Sequence, residues 1–207
     1  MSWLMSAIYD RFMRGAEDAC LRAWREELLA GASGQVLEIG AGTGANLAHY
    51  RFSGASPVQD LVLTEPDRHM RARLDRALAG RAHEVVDASA EALPFDAGRF
   101  DFVVCTLVLC SVRDLDQSTR EIARVLKPGG RLLFMEHTAD DERPDRLAWQ
   151  RRVEPVWRLV AGNCHLTRRP LEAFERAGLD VLEARRERVR KAMPLVRAGV
   201  RGVARRP

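Results

Sequence analysis

Three glycines, Gly40, Gly42 and Gly44, follow directly on the apolar run Val36-Leu-Glu-Ile39 and lead into Ala45-Asn46-Leu47. Glycine accepts positive φ and lets a ligand approach bare backbone, and a helix beginning near Thr43 would present free N–H groups at its start. A strand, a bare turn and a helix start in that order make a seat for a nucleotide-like ligand, lined by Gly40, Ala41, Gly42, Gly44 and Asn46. Read as G-x-G-x-x-G/A, Gly40, Gly42 and Ala45 also satisfy the dinucleotide fingerprint, so the glycines alone leave several adenosine ligands open.

Neighbouring charge narrows the choice. Glu38, two residues before the first glycine, is expected to place a carboxylate at the mouth of the turn. A pyrophosphate would be repelled there, whereas the ammonium and sulfonium groups of S-adenosylmethionine (SAM) would be attracted. A second acid, Glu65, closes the apolar run Asp60-Leu-Val-Leu-Thr64 and precedes Pro66. That is the interval expected for a carboxylate that holds ribose hydroxyls at the edge of the neighbouring strand; an acidic cap on a helix starting near Asp67 is the plainer alternative.

If the ligand is SAM and its methyl group is transferred, the step is an in-line displacement that needs a nucleophile aligned with the methyl carbon and water kept away. His137 and His165 are the candidates to deprotonate or position that nucleophile. Either could instead cap a carbonyl or lie beside a tryptophan. Leu107, Trp149, Trp157 and Cys164 are the candidate walls of a mostly apolar acceptor pocket. Cys20, Cys105, Cys110 and Cys164 are scattered without C-x-x-C spacing, which argues for free thiols and against a metal site, with Cys105 and Cys110 simple core residues.

The elements that must carry these residues alternate in type. A helical lead-in (residues 3–30, with Leu21, Trp24 and Leu28 on one face) precedes a strand at 35–39, helix 43–51, strand 60–65, helix 67–79 and strand 83–87. Strand 99–109, a helix from Asp114 to Leu126, a stop at Lys127-Pro-Gly-Gly130 and strand 131–136 follow. Such alternation implies a parallel sheet covered on both faces. Residues 143–169, with two prolines and two tryptophans, read as two short helices forming a cap above the carboxyl edge. A helix at 170–177 and two strand-like runs, 179–187 and 195–204, which could pair as an antiparallel hairpin, complete the chain.

The length of 207 residues and 46% hydrophobic content suit one domain with a sizeable core, and there is no apolar run of membrane-spanning length. Trp3-Leu-Met-Ser-Ala-Ile8 reads as an amphipathic entry helix rather than an export signal, so a soluble, cytoplasmic protein is expected. The net charge of +4 conceals an asymmetry: residues 185–207 carry +8 and the remainder −4. Such a basic tail could make peripheral contact with an anionic membrane, or be a strand with solvated arginines; no nucleic-acid partner is expected.

Over residues 34–137 the sequence resembles the class I SAM-dependent methyltransferases of the type-11 group. The resemblance rests on the Glu38-to-Gly44 turn, the acid at Glu65, the segment Ala90-Glu-Ala-Leu-Pro-Phe-Asp-Ala-Gly-Arg-Phe-Asp101 and the Arg124-Val-Leu-Lys-Pro-Gly-Gly130 stop. It implies a three-layer Rossmann-like sheet of seven strands, mostly parallel with a final antiparallel strand, and helices on both faces. It also implies SAM as cofactor, S-adenosylhomocysteine as product, and Ser89, Ala90, Glu91 and Thr106 beside the cofactor. Ser89 stands where many type-11 enzymes have Asp; a serine can still accept from adenine's amine, with Asp87 as the second choice.

A narrower similarity, carried by Cys105-Thr-Leu-Val-Leu-Cys-Ser-Val112, Phe134-Met-Glu-His137, the Trp149 to Trp157 stretch and Cys164-His-Leu-Thr-Arg168, is to methyltransferase-like proteins that methylate alkyl thiols in animals. His165 stands where their motif has Asn. The resemblance implies a small lipophilic acceptor, an alkyl thiol foremost. A lipid or quinone head group is the second expectation, and a SAM-binding regulatory protein without turnover the third.

Overall fold

The computed structural model describes residue 11 and residues 13–79 and 83–207. The part of the expected lead-in helix before residue 11 lies outside the described residues. Seven strands form one sheet: β1 (Gly34–Ile39), β2 (Val58–Thr64), β3 (Glu84–Val86), β4 (Phe100–Thr106), β5 (Leu126–His137), β6 (Asp180–Arg188) and β7 (Ala198–Arg205). Their order is β3-β2-β1-β4-β5-β7-β6, with parallel pairing from β3 through to β5 and β7 antiparallel to both its neighbours.

Side chains alternate across this sheet, so each central strand feeds two cores. Leu37, Ile39, Val103, Cys105, Leu132 and Phe134 face one side, where α3 (Leu115–Val125) contributes Ile122 and Val125, and α5 (Pro170–Arg176) contributes Phe174. Val36, Leu61, Leu63, Val104, Leu133 and Met135 face the other. There α1 (Arg22–Leu29), entered through a widened π turn at Glu17–Leu21, supplies Leu28 and Leu29, and α2 (Arg68–Leu78) supplies Leu74 and Leu78. Asp67 caps α2 by accepting from the N–H groups of His69 and Met70, and Asp114 caps α3 by accepting from Gln117.

The expected helix over 43–51 does not form. Residues 42–49 make a succession of tight turns closed by Gly44 N–H to Ala41 O, Leu47 N–H to Gly44 O and His49 N–H to Asn46 O. Gly42 and Gly44 both sit at positive φ (60° and 89°), which a right-handed helix does not allow, and Asn46 and Tyr50 are drawn inward by a buried carboxylate. Residues 143–169 contain one long helix, α4 (Pro144–Val160), rather than two short ones, and Pro155 is accommodated within it. Strand β5 begins at Leu126, earlier than the expected residue 131. The hairpin of β6 and β7 is present, and it consumes the basic tail. Arg201 is buried and pairs with Glu27 and Glu187, Arg188 pairs with Asp140, Arg205 with Asp180, and Arg206 donates to the carbonyls of Arg124 and Leu126. Among the described residues no helix is long and apolar enough to cross a membrane.

Candidate active site

All five strands of the parallel half point their carboxyl ends at one edge, and the glycine turn rises from β1 there. A side chain at Gly40 would strike Val108 (2.6 Å from Cγ2), and one at Gly44 would strike Leu47 (2.7 Å). A side chain at Gly42 would meet only the Gly40 carbonyl oxygen, at an ordinary contact distance of 3.9 Å. The outer two glycines thus let the loop fold tightly, and the middle one leaves backbone bare.

Glu65, at the end of β2, accepts from Gly42 N–H and Asp67 N–H (2.9 Å each). It is therefore fixed between the glycine turn and the cap of α2, mostly buried, with its pKa raised by that burial. Pro66 follows it on the surface. Asp87, the second choice for adenine, is taken by an ion pair with Arg71 (2.8 Å). Ser89 is half-buried, Ala90 belongs to the core, and the Glu91 carboxylate accepts from Arg113 N–H (2.5 Å) and Asp114 N–H at the head of α3.

Glu38 differs from its expected posture. Its carboxylate is buried with both oxygens engaged: Oε1 accepts from Asn46 Nδ2 (2.9 Å) and Oε2 from the Tyr50 hydroxyl (2.7 Å). Burial pushes its pKa up to about 7. Asn46 accepts in turn from Arg25 (2.7 Å), which also donates to the Thr106 hydroxyl (2.9 Å) and pairs with Glu17. Arg25 is almost wholly buried. Sequence reading missed Arg25, Glu17 and Tyr50. The available signal was an arginine at the position of α1 that faces the core with Leu21, Leu28 and Leu29.

Strand β4 ends in a strained turn. Leu107 has φ of 60°, a conformation that costs a non-glycine residue about 1–2 kcal/mol. The turn is held by Glu136, whose Oε1 accepts from Val108 N–H (3.0 Å) and Leu109 N–H (3.1 Å). Glu136 is buried, which raises its pKa to about 7, and its Oε2 has no hydrogen-bond partner. The segment after α4 is fastened onto the same turn. Cys110 O accepts from His165 N–H (2.8 Å), Ser111 O from Asn163, and the carbonyls of Leu109 and Val112 from Arg168.

These ties bring together Cys110, His137 and Cys164, whose two Sγ atoms and one imidazole nitrogen lie within 4.8 Å of one another, all buried. Spacing in the chain gave no sign of this cluster and had suggested the opposite. His137 Nε2 is 2.9 Å from Cys164 Sγ. The Cys110 thiol and the His137 imidazole hold the Cys164 thiol well below its usual pKa despite burial. Burial alone would lower the His137 pKa, but the Cys164 sulfur raises it above the ordinary imidazole value. The Trp157 indole N–H lies close enough to the Cys164 sulfur to favour its charge, without a regular hydrogen bond to any group. His165 sits apart from the cluster, its Nδ1 3.5 Å from Glu154, with burial and Arg168 lowering its pKa. Trp149 is 63% exposed on the outer face of α4. A separate cavity of about 590 Å³, lined by Ser33, Gly34, Asp101, Lys127 and Arg131, lies at the opposite edge of the sheet, remote from this chemistry.

A family model described as a methyltransferase domain matches residues 9–184. Thiol S-methyltransferase TMT1A of Homo sapiens is 36% identical over 182 residues, covering 84% of this chain and 72% of the human protein. The ubiquinone/menaquinone biosynthesis C-methyltransferase UbiE of Pseudomonas entomophila is 39% identical over 142 residues, 64% of this chain and 54% of that protein. Among solved structures, a SAM-dependent methyltransferase of Thermotoga maritima, possibly a histamine N-methyltransferase, superposes with a TM-score of 0.70 at 19% identity, covering 99% of this chain and 97% of that one, and supports the fold. Strand order, the glycine turn and these likenesses define a SAM-dependent methyltransferase. The chain belongs to the methyltransferase-domain family, and SAM is its methyl donor.

Proposed function

We propose that the chain transfers the methyl group of SAM to a small alkyl thiol. The observation that carries this reading is the buried sulfur and imidazole cluster at the carboxyl edge, the edge where open α/β sheets bind their ligands. A polarizable wall of that kind suits a soft acceptor, and the 36% identity to a thiol S-methyltransferase supports it. In this reading SAM lies across the glycine turn. Glu65 holds the ribose hydroxyls, Ser89 to Glu91 flank adenine, and the backbone of Gly40 to Gly44 with Asn46 and Thr106 borders the methionine portion. Leu107, Trp157 and Cys164 wall the acceptor.

The reaction needs the acceptor's sulfur ionised and in line with the methyl carbon. The acceptor loses its proton, with His137 the nearest imidazole to the thiols and His165 the second. The thiolate's electron pair then forms the new S–C bond while the sulfonium C–S bond breaks toward S-adenosylhomocysteine.

A second reading, methylation of a lipid or quinone head group, is favoured by α4. Its outer face exposes Trp149, Val156, Leu159 and Val160 beside Arg151, Arg152 and Arg158, an arrangement that suits the surface of an anionic membrane. Conversion of SAM to S-adenosylhomocysteine by the whole chain, assayed against alkyl thiols, phenols, amines and lipid head groups in vesicles, separates the two. Turnover confined to thiols upholds the first reading; turnover of head groups alone replaces it with the second.

A further inference from the structure

Cys110, His137 and Cys164 come from three different elements: the turn after β4, the end of β5 and the segment following α4. Two thiols and an imidazole nitrogen within 4.8 Å of one another, each almost fully buried, make a donor set rarely gathered for packing alone. Sulfur and imidazole together select zinc and other thiophilic divalent ions over magnesium or calcium. Metal–sulfur bonds of about 2.3 Å and metal–nitrogen bonds of about 2.0 Å place tetrahedral ligand atoms roughly 3.5–4 Å apart, close to the spread found here. The His137 to Cys164 contact of 2.9 Å would open slightly to admit an ion.

We propose that Cys110 Sγ, Cys164 Sγ and His137 Nε2 bind one thiophilic divalent cation, zinc foremost, whose fourth position takes the acceptor's sulfur. Three protein ligands and one open position is the pattern of catalytic rather than structural zinc. The second half of this inference rests on the thiol reading above; the first half does not. Ligation displaces the acceptor's proton to solvent, so the metal replaces a base and His137 serves as a ligand. The bound thiolate keeps a lone pair for the methyl carbon, and the sulfonium sulfur departs with the electron pair of the broken bond. The neutral thioether formed is a weaker ligand than the thiolate and leaves. The Trp157 N–H beside Cys164 would temper the sulfur's charge from outside the ligand shell.

The test uses the whole chain, stripped with a chelator, kept reduced with a phosphine and titrated with cobalt(II) alone. Expected are one equivalent bound, a thiolate-to-cobalt charge-transfer band with tetrahedral visible bands, and displacement of both by zinc. Cys110→Ser and Cys164→Ser should each weaken cobalt binding by at least the ~10- to 100-fold that a lost outer-shell partner costs. Cys20→Ser should leave it unchanged. Binding of SAM by calorimetry shows that each variant is folded. Absence of stoichiometric cobalt, or bands that survive in both ligand variants, overturns the site. Adding a small alkyl thiol without SAM should then change the visible bands. Cobalt binding with no such change overturns the open-position role and leaves a structural metal. Because these readouts need no turnover, failure of the thiol panel and failure of the metal site are told apart.

Discussion

Glu65 is the residue on which the cofactor assignment can be tested most directly. It is anchored by two backbone N–H groups and so is fixed before the ligand arrives. Glu65→Ala is expected to weaken SAM by roughly 1–3 kcal/mol, the loss for a charged hydrogen-bond acceptor, while NAD gives no heat with either protein. Calorimetry with both ligands checks this, and tight NAD binding would refute it. The histidines are tested by rate against pH at low thiol concentration. In protein stripped of metal, an assisting imidazole works only when unprotonated, and the His137 pKa is raised, so its rising limb should lie above the ordinary imidazole value. His137→Ala should alter that limb and His165→Ala should not; identical profiles for both variants and the parent would assign both rings to structure. The glycine turn was legible in the sequence because its three glycines follow directly on a short apolar run. The bond from Arg25 to Asn46 and Thr106 was not, since it spans up to 81 residues. Nor was the meeting of Cys110 with His137 and Cys164, which exists only once α4 has folded back over the sheet.

Neighbouring positions on α4 separate its two faces. Gln150 is fully buried and accepts from Asp140 N–H while donating to the carbonyls of Thr138 and Leu195, so it fastens the helix both to the end of β5 and to the connection before β7. Gln150→Ala strands those partners and should cost about 1–3 kcal/mol. Trp149→Ala, one residue away on the exposed face, should stay within about 0.5 kcal/mol of the parent. Denaturant unfolding of both variants measures the contrast, and equal losses would show that the two faces are misassigned. The strands were readable because their apolar runs are short and bounded by glycine or acid. The helix after Thr43 was misread because a helical pattern in 43–51 competes with glycines at positive φ and with the pull of Glu38 on Asn46 and Tyr50. Splitting α4 into two followed the rule that proline ends helices, yet Pro155 sits on the exposed face, where the carbonyl it leaves unpaired is open to solvent.

The stability of the entire chain should bear the mark of its buried carboxylates. Glu38 faces Tyr50, Asn46, Arg25 and Glu65, and its folded pKa of about 7 lies above the ordinary 4.5. The folded form therefore binds the proton more tightly, so this contribution is complete below pH 4.5 and is lost as pH rises through 7. Carboxylates with lowered values, such as Glu121 and Asp101, act only at more acid pH. Glu38→Gln, neutral throughout, should gain on the parent by on the order of 1–3 kcal/mol between about pH 5 and pH 8. Unfolding midpoints at the two pH values decide it, and a constant difference would mean that Glu38 is ionised throughout. The seating of β7 has a consequence for how the chain assembles. Although β7 follows β6 in sequence, it lies between β5 and β6, so β6 has no place in the sheet until β7 has arrived. The hairpin must dock as a pair, leaving the β5 edge, rich in Leu132, Leu133, Phe134 and Met135, open to other chains in the interval. During synthesis that unfinished edge is the stage at which this protein is most exposed to aggregation, and a chaperone that shields strand edges would act there.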